Sequence, residues 1–127
     1  MPKVIPAKAG IQAMVFASLA SCATVGDSQR GRDVFVSRDQ GHCVLCHTIA
    51  GTAGGNVGPS LANVGSRLTS REIRARIEDI TRITPNAAMP TYHRTENLTR
   101  VASQYAGKPV LSREQVDDVV AYLSTLK

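Results

Sequence analysis

The stretch Cys43-Val-Leu-Cys46-His47 decides how this chain folds. Two cysteines separated by two residues, with a histidine directly after the second, form the attachment site of a c-type haem. Each thiol adds to one vinyl group of the porphyrin as a thioether, and the next imidazole then lies under the iron. The motif therefore predicts one covalent haem c, attached through Cys43 and Cys46, with His47 as an iron ligand.

Two other uses of a Cys-x-x-Cys pair agree less well with this chain. A structural zinc site needs four Cys or His ligands. Outside the motif the chain has only His42, His93 and Cys22, and Cys22 lies near the N-terminus. A thioredoxin-like redox pair belongs in a βαβ context, and no such pattern is visible. Haem attachment is the interpretation that uses every residue of the motif.

The size and composition agree with a core built around a haem. The chain has 127 residues, which suits one domain, and only 4% are aromatic, with no Trp. Side chains alone would therefore make a thin core, and a covalent haem would enlarge it. The formal charge is +5, but basic and acidic residues are interspersed. No nucleic-acid-binding surface is predicted.

The N-terminal segment resembles an export leader. Lys3 and Lys8 precede an apolar run over residues 11–20 that ends in small residues, as in a secretory signal. The run is too short for a permanent membrane span. We expect a signal or lipoprotein-type leader over residues 1–26, a cytochrome c domain over residues 27–127, and a periplasmic location.

Cys22 has no role in haem attachment. The stretch Leu19-Ala20-Ser21-Cys22 is similar to a bacterial lipobox, in which the cysteine is acylated and becomes the new N-terminus. Ordinary cleavage near Ala20 or Ala23 is the alternative. Both fates of Cys22 stay open, and any membrane contact would come through its lipid anchor.

The segment before the motif has the pattern of a helix. Asp27 or Ser28 suits an N-cap, and Gly31, Val34 and Phe35 follow on one helical face. Glycine inside a helix costs about 1 kcal/mol relative to alanine. We therefore expect another helix to cross close to Gly31.

Two capping boxes mark later helices. Thr69-x-x-Glu72 and Ser112-x-x-Gln115 each precede an apolar stripe at helical spacing. The stripes consist of Ile73, Ile77 and Ile80, and of Val116, Val119, Val120, Leu123 and Leu126. The chain is therefore predicted to be all-α, with about three to four helices around one haem.

A glycine-rich loop after the motif contains the pair Gly58-Pro59. An iron-ligating histidine almost always donates its other ring N–H to an acceptor, which fixes the ring orientation. In cytochromes c this acceptor is the carbonyl of a Gly-Pro proline, so Pro59 is predicted to orient His47. An ordinary Gly-Pro turn is the alternative.

Met89 is the only methionine beyond the leader, and it lies beside Pro90. A thioether as sixth ligand raises the reduction potential of haem iron and closes the iron to other ligands. Met89 therefore predicts an electron-transfer centre. The alternatives are Met89 as core filler, His93 as the ligand, or an open sixth position, as a haem enzyme or sensor would need.

Residues 92–110 form a segment that a minimal cytochrome would not need. A surface loop is the default interpretation. Its length and its position after Met89 make it a candidate for docking a partner or covering the haem.

Together these motifs resemble the SoxX family, the small monohaem cytochrome subunits of the SoxAX complexes of sulfur-oxidising bacteria. The resemblance covers roughly residues 29–126. It rests on the haem motif and on Gly31-Arg32, Gly55-Asn-x-Gly-Pro59-x-Leu, Pro85-Asn-x-x-Met89-Pro90 and Gly-Lys-Pro-x-Leu-Ser112.

The resemblance implies a class I cytochrome c fold and one-electron transfer. SoxAX oxidatively couples thiosulfate to a carrier cysteine on SoxYZ, with the sulfur chemistry at the SoxA haem. The implied partners are a SoxA-like subunit, a downstream cytochrome acceptor and, through the complex, a SoxYZ-type carrier. This chain would have no independent catalysis, as the electron-transfer subunit of an L-cysteine S-thiosulfotransferase. A free-standing periplasmic shuttle is the alternative.

Overall fold

Four α-helices, joined by loops and short 3₁₀ turns, make up the described part of the chain. A computed structural model describes residues 25–50 and 54–127. The α-helices are α1 (Ser28–Val36), α2 (Val64–Arg67), α3 (Ser70–Asp79) and α4 (Arg113–Thr125), with 3₁₀ turns at Cys43–Leu45, Ile80–Arg82 and Ser103–Tyr105. No strand occurs within these residues, so the all-α prediction is confirmed. Cys22 and most of the predicted leader lie outside the described residues.

Helices α1, α3 and α4 begin directly after predicted capping residues. Asp27 caps α1 by accepting a hydrogen bond from a backbone N–H of the first turn. Thr69 and Glu72 form a capping box at α3, and Ser112 and Gln115 form another at α4. Because a cap satisfies N–H groups that have no partner inside the helix, each contributes about 1 kcal/mol.

Helix α1 crosses α4 at Gly31, which confirms the expected close approach. A Cβ added at Gly31 would overlap the carbonyl oxygen of Asp118 and lie 2.9 Å from Cβ of Tyr122. Next to this contact, the rings of Phe35 and Tyr122 meet edge to face with their centroids 5.7 Å apart. Only glycine at position 31 allows the two helices to pack this closely.

The predicted apolar stripes of α3 and α4 supply much of the buried interior. The stripe residues are buried except Leu126, which packs against the cluster as a partly buried side chain. Leu111, next to the capping residue Ser112, is 1% exposed, and Val116 is fully buried. Apart from residues 1–24 and 51–53, the chain has no helix long and apolar enough to cross a membrane.

A buried carboxylate joins the start of α1 to α4. Asp118 is only 3% exposed. It accepts hydrogen bonds from the backbone N of Asp27 at 2.6 Å and from Nε and Nη2 of Arg30 at 2.9 and 3.0 Å. Burial opposes ionisation of Asp118, but these hydrogen bonds outweigh it and lower the pKa of the carboxyl. No spacing in the sequence marks Asp118 as a buried residue.

Candidate haem site

The haem-attachment motif folds as one tight turn after α1. His42 has a left-handed backbone with φ 46°, and a single 3₁₀ turn follows over Cys43–Leu45. The backbone N–H groups of Cys46 and His47 both donate to the carbonyl of Cys43, at 3.1 and 3.0 Å. These bonds hold both cysteines and the histidine on the same turn.

The Cys43 thiol does not have the character of a reactive redox cysteine. Cys43 and Cys46 are free and half-buried. Burial raises the pKa of the Cys43 thiol to about 11. A reactive redox cysteine has a lowered pKa instead, because the thiolate is the nucleophile. This environment does not favour the thioredoxin-like alternative.

His47 is oriented by the loop that follows it. Its Nδ1 lies 2.7 Å from the carbonyl oxygen of Pro59, so an Nδ1–H donor leaves Nε2 free to ligate iron. A Cβ at Gly58 would overlap the imidazole, lying 2.8 Å from Nδ1. The Gly-Pro pair therefore provides both the acceptor for the ring and the space that the ring needs.

The glycine-rich loop is attached to the motif by backbone hydrogen bonds as well. Each bond joins an N–H of the loop to a carbonyl in or next to the motif. The pairs are Gly55 N to Val44 O at 2.9 Å, Gly58 N to Cys46 O at 2.8 Å and Leu61 N to Thr48 O at 2.9 Å. We call residues 41–61 the proximal loop. Its hydrogen bonds keep the His47 ring in a defined place.

Met89 lies in a second loop, residues 83–92, which we call the distal loop. Its half-buried side chain packs against the apolar core. Within the described part of the chain, no hydrogen bond involves residues 88–91. The thioether of Met89 therefore has an apolar environment on a segment with few attachments of its own.

His93 has different surroundings from Met89. Its Nδ1 lies 2.9 Å from the carbonyl oxygen of Leu111. The residue lines a polar depression together with Asp79, Arg82 and Arg94. Of the two candidate sixth ligands, Met89 is the one that packs against the apolar core.

Tyr92 lies in the core, although residues 92–110 were predicted to form a surface loop. It is only 8% exposed, and its hydroxyl donates to the carbonyl of Gly41 at 2.9 Å. Burial raises the pKa of Tyr92, and the hydroxyl is a donor at neutral pH. The only sequence signal for a buried Tyr92 is its position, three residues after the candidate ligand Met89.

The residues around the motif fit a haem. They supply two thiols, an imidazole with a free nitrogen and a thioether, the donor set of a c-type haem. Leu45 and Val57, two apolar residues of the proximal loop, are 62% and 72% exposed. Val44, Leu61, Leu68 and Met89 are apolar side chains only partly covered by the core. A large apolar group next to these side chains would remove them from water.

The chain belongs to the cytochrome c family. The family model described as Cytochrome c matches residues 28–127. Among solved structures, the chain is similar to the crystal structure of SoxXA from P. pantotrophus, with 27% sequence identity and a TM-score of 0.75. That similarity covers 83% of this chain and 85% of the other. No curated protein sequence matches the chain.

These comparisons define a SoxX-like cytochrome c with the class I fold. The prediction of one covalently bound haem c is confirmed. The general function that follows is electron transfer, and the expected location is extracytoplasmic.

Proposed function

We propose that this chain is the electron-accepting subunit of a SoxAX-type complex that oxidatively couples thiosulfate to a cysteine of a SoxYZ-type carrier. The observation that carries the proposal is the similarity to the SoxXA structure over most of both chains. The cysteines of the described residues also support a role in electron transfer and not in sulfur transfer. Cys43 and Cys46 become thioethers on haem attachment, so neither remains to carry sulfur. The sulfur chemistry would take place on the SoxA-like partner.

The proposed iron ligands are His47 on the proximal side and Met89 on the distal side. His47 is supported by its place in the motif and by the Pro59 hydrogen bond of 2.7 Å, which strengthens a ligating imidazole. Met89 is supported by its packing against the apolar core. When bound, the haem supplies one iron that cycles between ferric and ferrous states.

With His47 and Met89 both holding the iron, a bound haem would exchange electrons without binding substrate. The role of the chain's own residues is to hold the two ligands and to limit water around the centre. Leu61 and Leu68 contribute apolar surroundings from the core side. An apolar environment with a thioether ligand favours the ferrous state, which suits a subunit that accepts electrons.

Spectra of the holoprotein test the ligand assignment. Ferric haem with a methionine ligand has a weak near-infrared charge-transfer band, which we expect in the unchanged protein and not in Met89→Ala. His93→Gln is the matched control and should keep the band. If the band persists in Met89→Ala, or if carbon monoxide binds readily to the unchanged ferrous protein, the assignment of Met89 is wrong.

Co-purification tests the subunit assignment. The chain is expressed with its haem-attachment machinery and a tagged SoxA-like cytochrome, and the stoichiometry of the purified complex is measured. We expect an equimolar complex whose haem is reduced when thiosulfate and a SoxYZ-type carrier are added. A chain that elutes alone and exchanges electrons with soluble cytochromes would be the free-standing shuttle instead.

The leader and the fate of Cys22 stay predictions. The mass of the mature protein from an exporting host distinguishes them. A diacylated and N-acylated Cys22 as first residue would identify a lipid anchor, and a first residue after Cys22 would identify ordinary cleavage.

A further inference from the structure

Tyr92 connects the distal loop to three other parts of the molecule. Its backbone N donates to the carbonyl of Ile77 in α3 at 3.1 Å. Its carbonyl accepts from Leu111 N, just before α4, at 2.8 Å. Its hydroxyl donates to Gly41 O at 2.9 Å, at the start of the haem-attachment turn. Among the described residues, the hydroxyl bond is the hydrogen bond that joins the distal loop to the proximal loop.

From these contacts we infer that Tyr92 is a positioning residue that keeps Met89 on the haem iron. The inference rests on the proposed ligation by Met89. Only three residue positions separate the two side chains, so a displacement of Tyr92 moves the backbone that carries Met89.

The distal loop depends on Tyr92 because it has few other attachments. On its N-terminal side, Thr84 N donates to Ile80 O at 2.8 Å and Ala87 N to Thr84 O at 3.2 Å. Residues 88–91 have no hydrogen bond among the described residues. Local opening is easiest where backbone contacts are few. Tyr92 is therefore the first fixed point after Met89.

Loss of the hydroxyl would leave the carbonyl of Gly41 without this donor. A buried hydrogen bond of this kind, removed from one side, changes a local equilibrium by a factor of about ten. The equilibrium in question is between Met89 on the iron and Met89 released. An external ligand binds only the released form, so its apparent affinity rises in proportion to the population of that form.

Imidazole titration of the ferric holoprotein tests this inference. We expect Tyr92→Phe to bind imidazole about tenfold more tightly than the unchanged protein and to have a weaker near-infrared band. The phenyl ring remains, so the core stays filled. The control Tyr105→Phe removes a hydroxyl from a tyrosine that is 63% exposed. The imidazole affinity of this variant should equal that of the unchanged protein.

A second control separates positioning from general stability. Ile73 is 3% exposed, and Ile73→Val should lower the folding equilibrium constant about fivefold, because it removes one buried methyl group. Its imidazole affinity should stay within about twofold of the unchanged protein. A merely structural Tyr92 would behave like Ile73, losing thermal stability at constant imidazole affinity.

The outcomes distinguish this inference from the proposed function. If the unchanged protein has the near-infrared band and Tyr92→Phe has the same imidazole affinity, the positioning role is wrong and Met89 ligation stands. If the unchanged protein has no band, Met89 ligation fails and the role of Tyr92 fails with it. The inference is supported if Tyr92→Phe binds imidazole more tightly and the two controls, Tyr105→Phe and Ile73→Val, do not.

Discussion

The proximal and distal loops hold their proposed iron ligands in different ways. In the proximal loop, residues after the motif donate three backbone hydrogen bonds to the motif or to Thr48 beside it, and the Pro59 carbonyl contacts the His47 ring directly. In the distal loop, hydrogen bonds to other described residues occur on either side of the segment around Met89 and not within it. A ligand held by its sequence neighbours depends on one short segment of the chain. A ligand held by distant residues depends on the complete fold.

The largest expected effect comes from adding bulk to the proximal loop. In Gly58→Val the new side chain would overlap the His47 imidazole, and the holoprotein should lose about 3 kcal/mol of unfolding free energy. Urea denaturation followed by circular dichroism measures this. The matched change in the distal loop is Ala88→Val, at an exposed position, where the loss should stay below about 0.5 kcal/mol. Equal losses of unfolding free energy in Gly58→Val and Ala88→Val would show that the two loops tolerate added bulk equally.

A change in the helices should affect both loops together. In Gly31→Ala the added Cβ would overlap the carbonyl of Asp118, with a loss of about 2 kcal/mol. We expect the near-infrared band and the helical circular dichroism to disappear at lower urea, both shifted by the same amount. The exposed neighbour Arg32→Ala is the control. If only one of the two signals shifts, the α1–α4 crossing does not support both loops.

Hydrogen exchange compares the loops without any substitution. Gly58 N is bonded to Cys46 O at 2.8 Å in the proximal loop, and Ala87 N to Thr84 O at 3.2 Å in the distal loop. We expect Gly58 to exchange at least about tenfold more slowly in the diamagnetic ferrous protein, measured by NMR. Comparable protection of the two amides would show that the distal loop is as well anchored as the proximal one.

The smallest effect concerns a contact outside both loops. Since the pKa of Asp118 in the folded protein lies below its ordinary value of 3.8, its carboxylate stabilises the fold above that pH. This stabilisation is lost as the pH falls through the folded pKa. Asp118→Asn should cost about 1 kcal/mol at neutral pH and progressively less below pH 3.8. Urea titrations at several pH values measure the difference.

The control for Asp118 is Asp39→Asn at an exposed site. It should change the unfolding free energy by less than about 0.5 kcal/mol at any pH. A difference for Asp118→Asn that does not shrink in acid would contradict the linkage. Neither variant should alter the near-infrared band, because neither residue belongs to a loop segment that carries a ligand.

Much of the fold was accessible from local patterns. The caps at Asp27, Thr69 and Ser112 and the buried stripes follow from residue spacing within single helices. The crossing at Gly31 followed from the cost of glycine in a helix, which needs a compensating contact. Tyr92 could not be recognised in this way, because its hydroxyl partner Gly41 is 51 positions away in the chain. The same holds for Arg30 and Asp118, which are 88 positions apart.

The sequence by itself predicted one covalent haem c, the all-α class and Pro59 as the partner of the His47 ring. These features depend on residues within one turn or one short loop, where chain connectivity limits the possible distances. Only the tertiary structure decided how the distal loop is fixed and that Asp118 is buried. Tyr92 and Asp118 acquire their roles when α1, α3 and α4 pack, since only packing brings their donors and acceptors within hydrogen-bonding distance and excludes water from them.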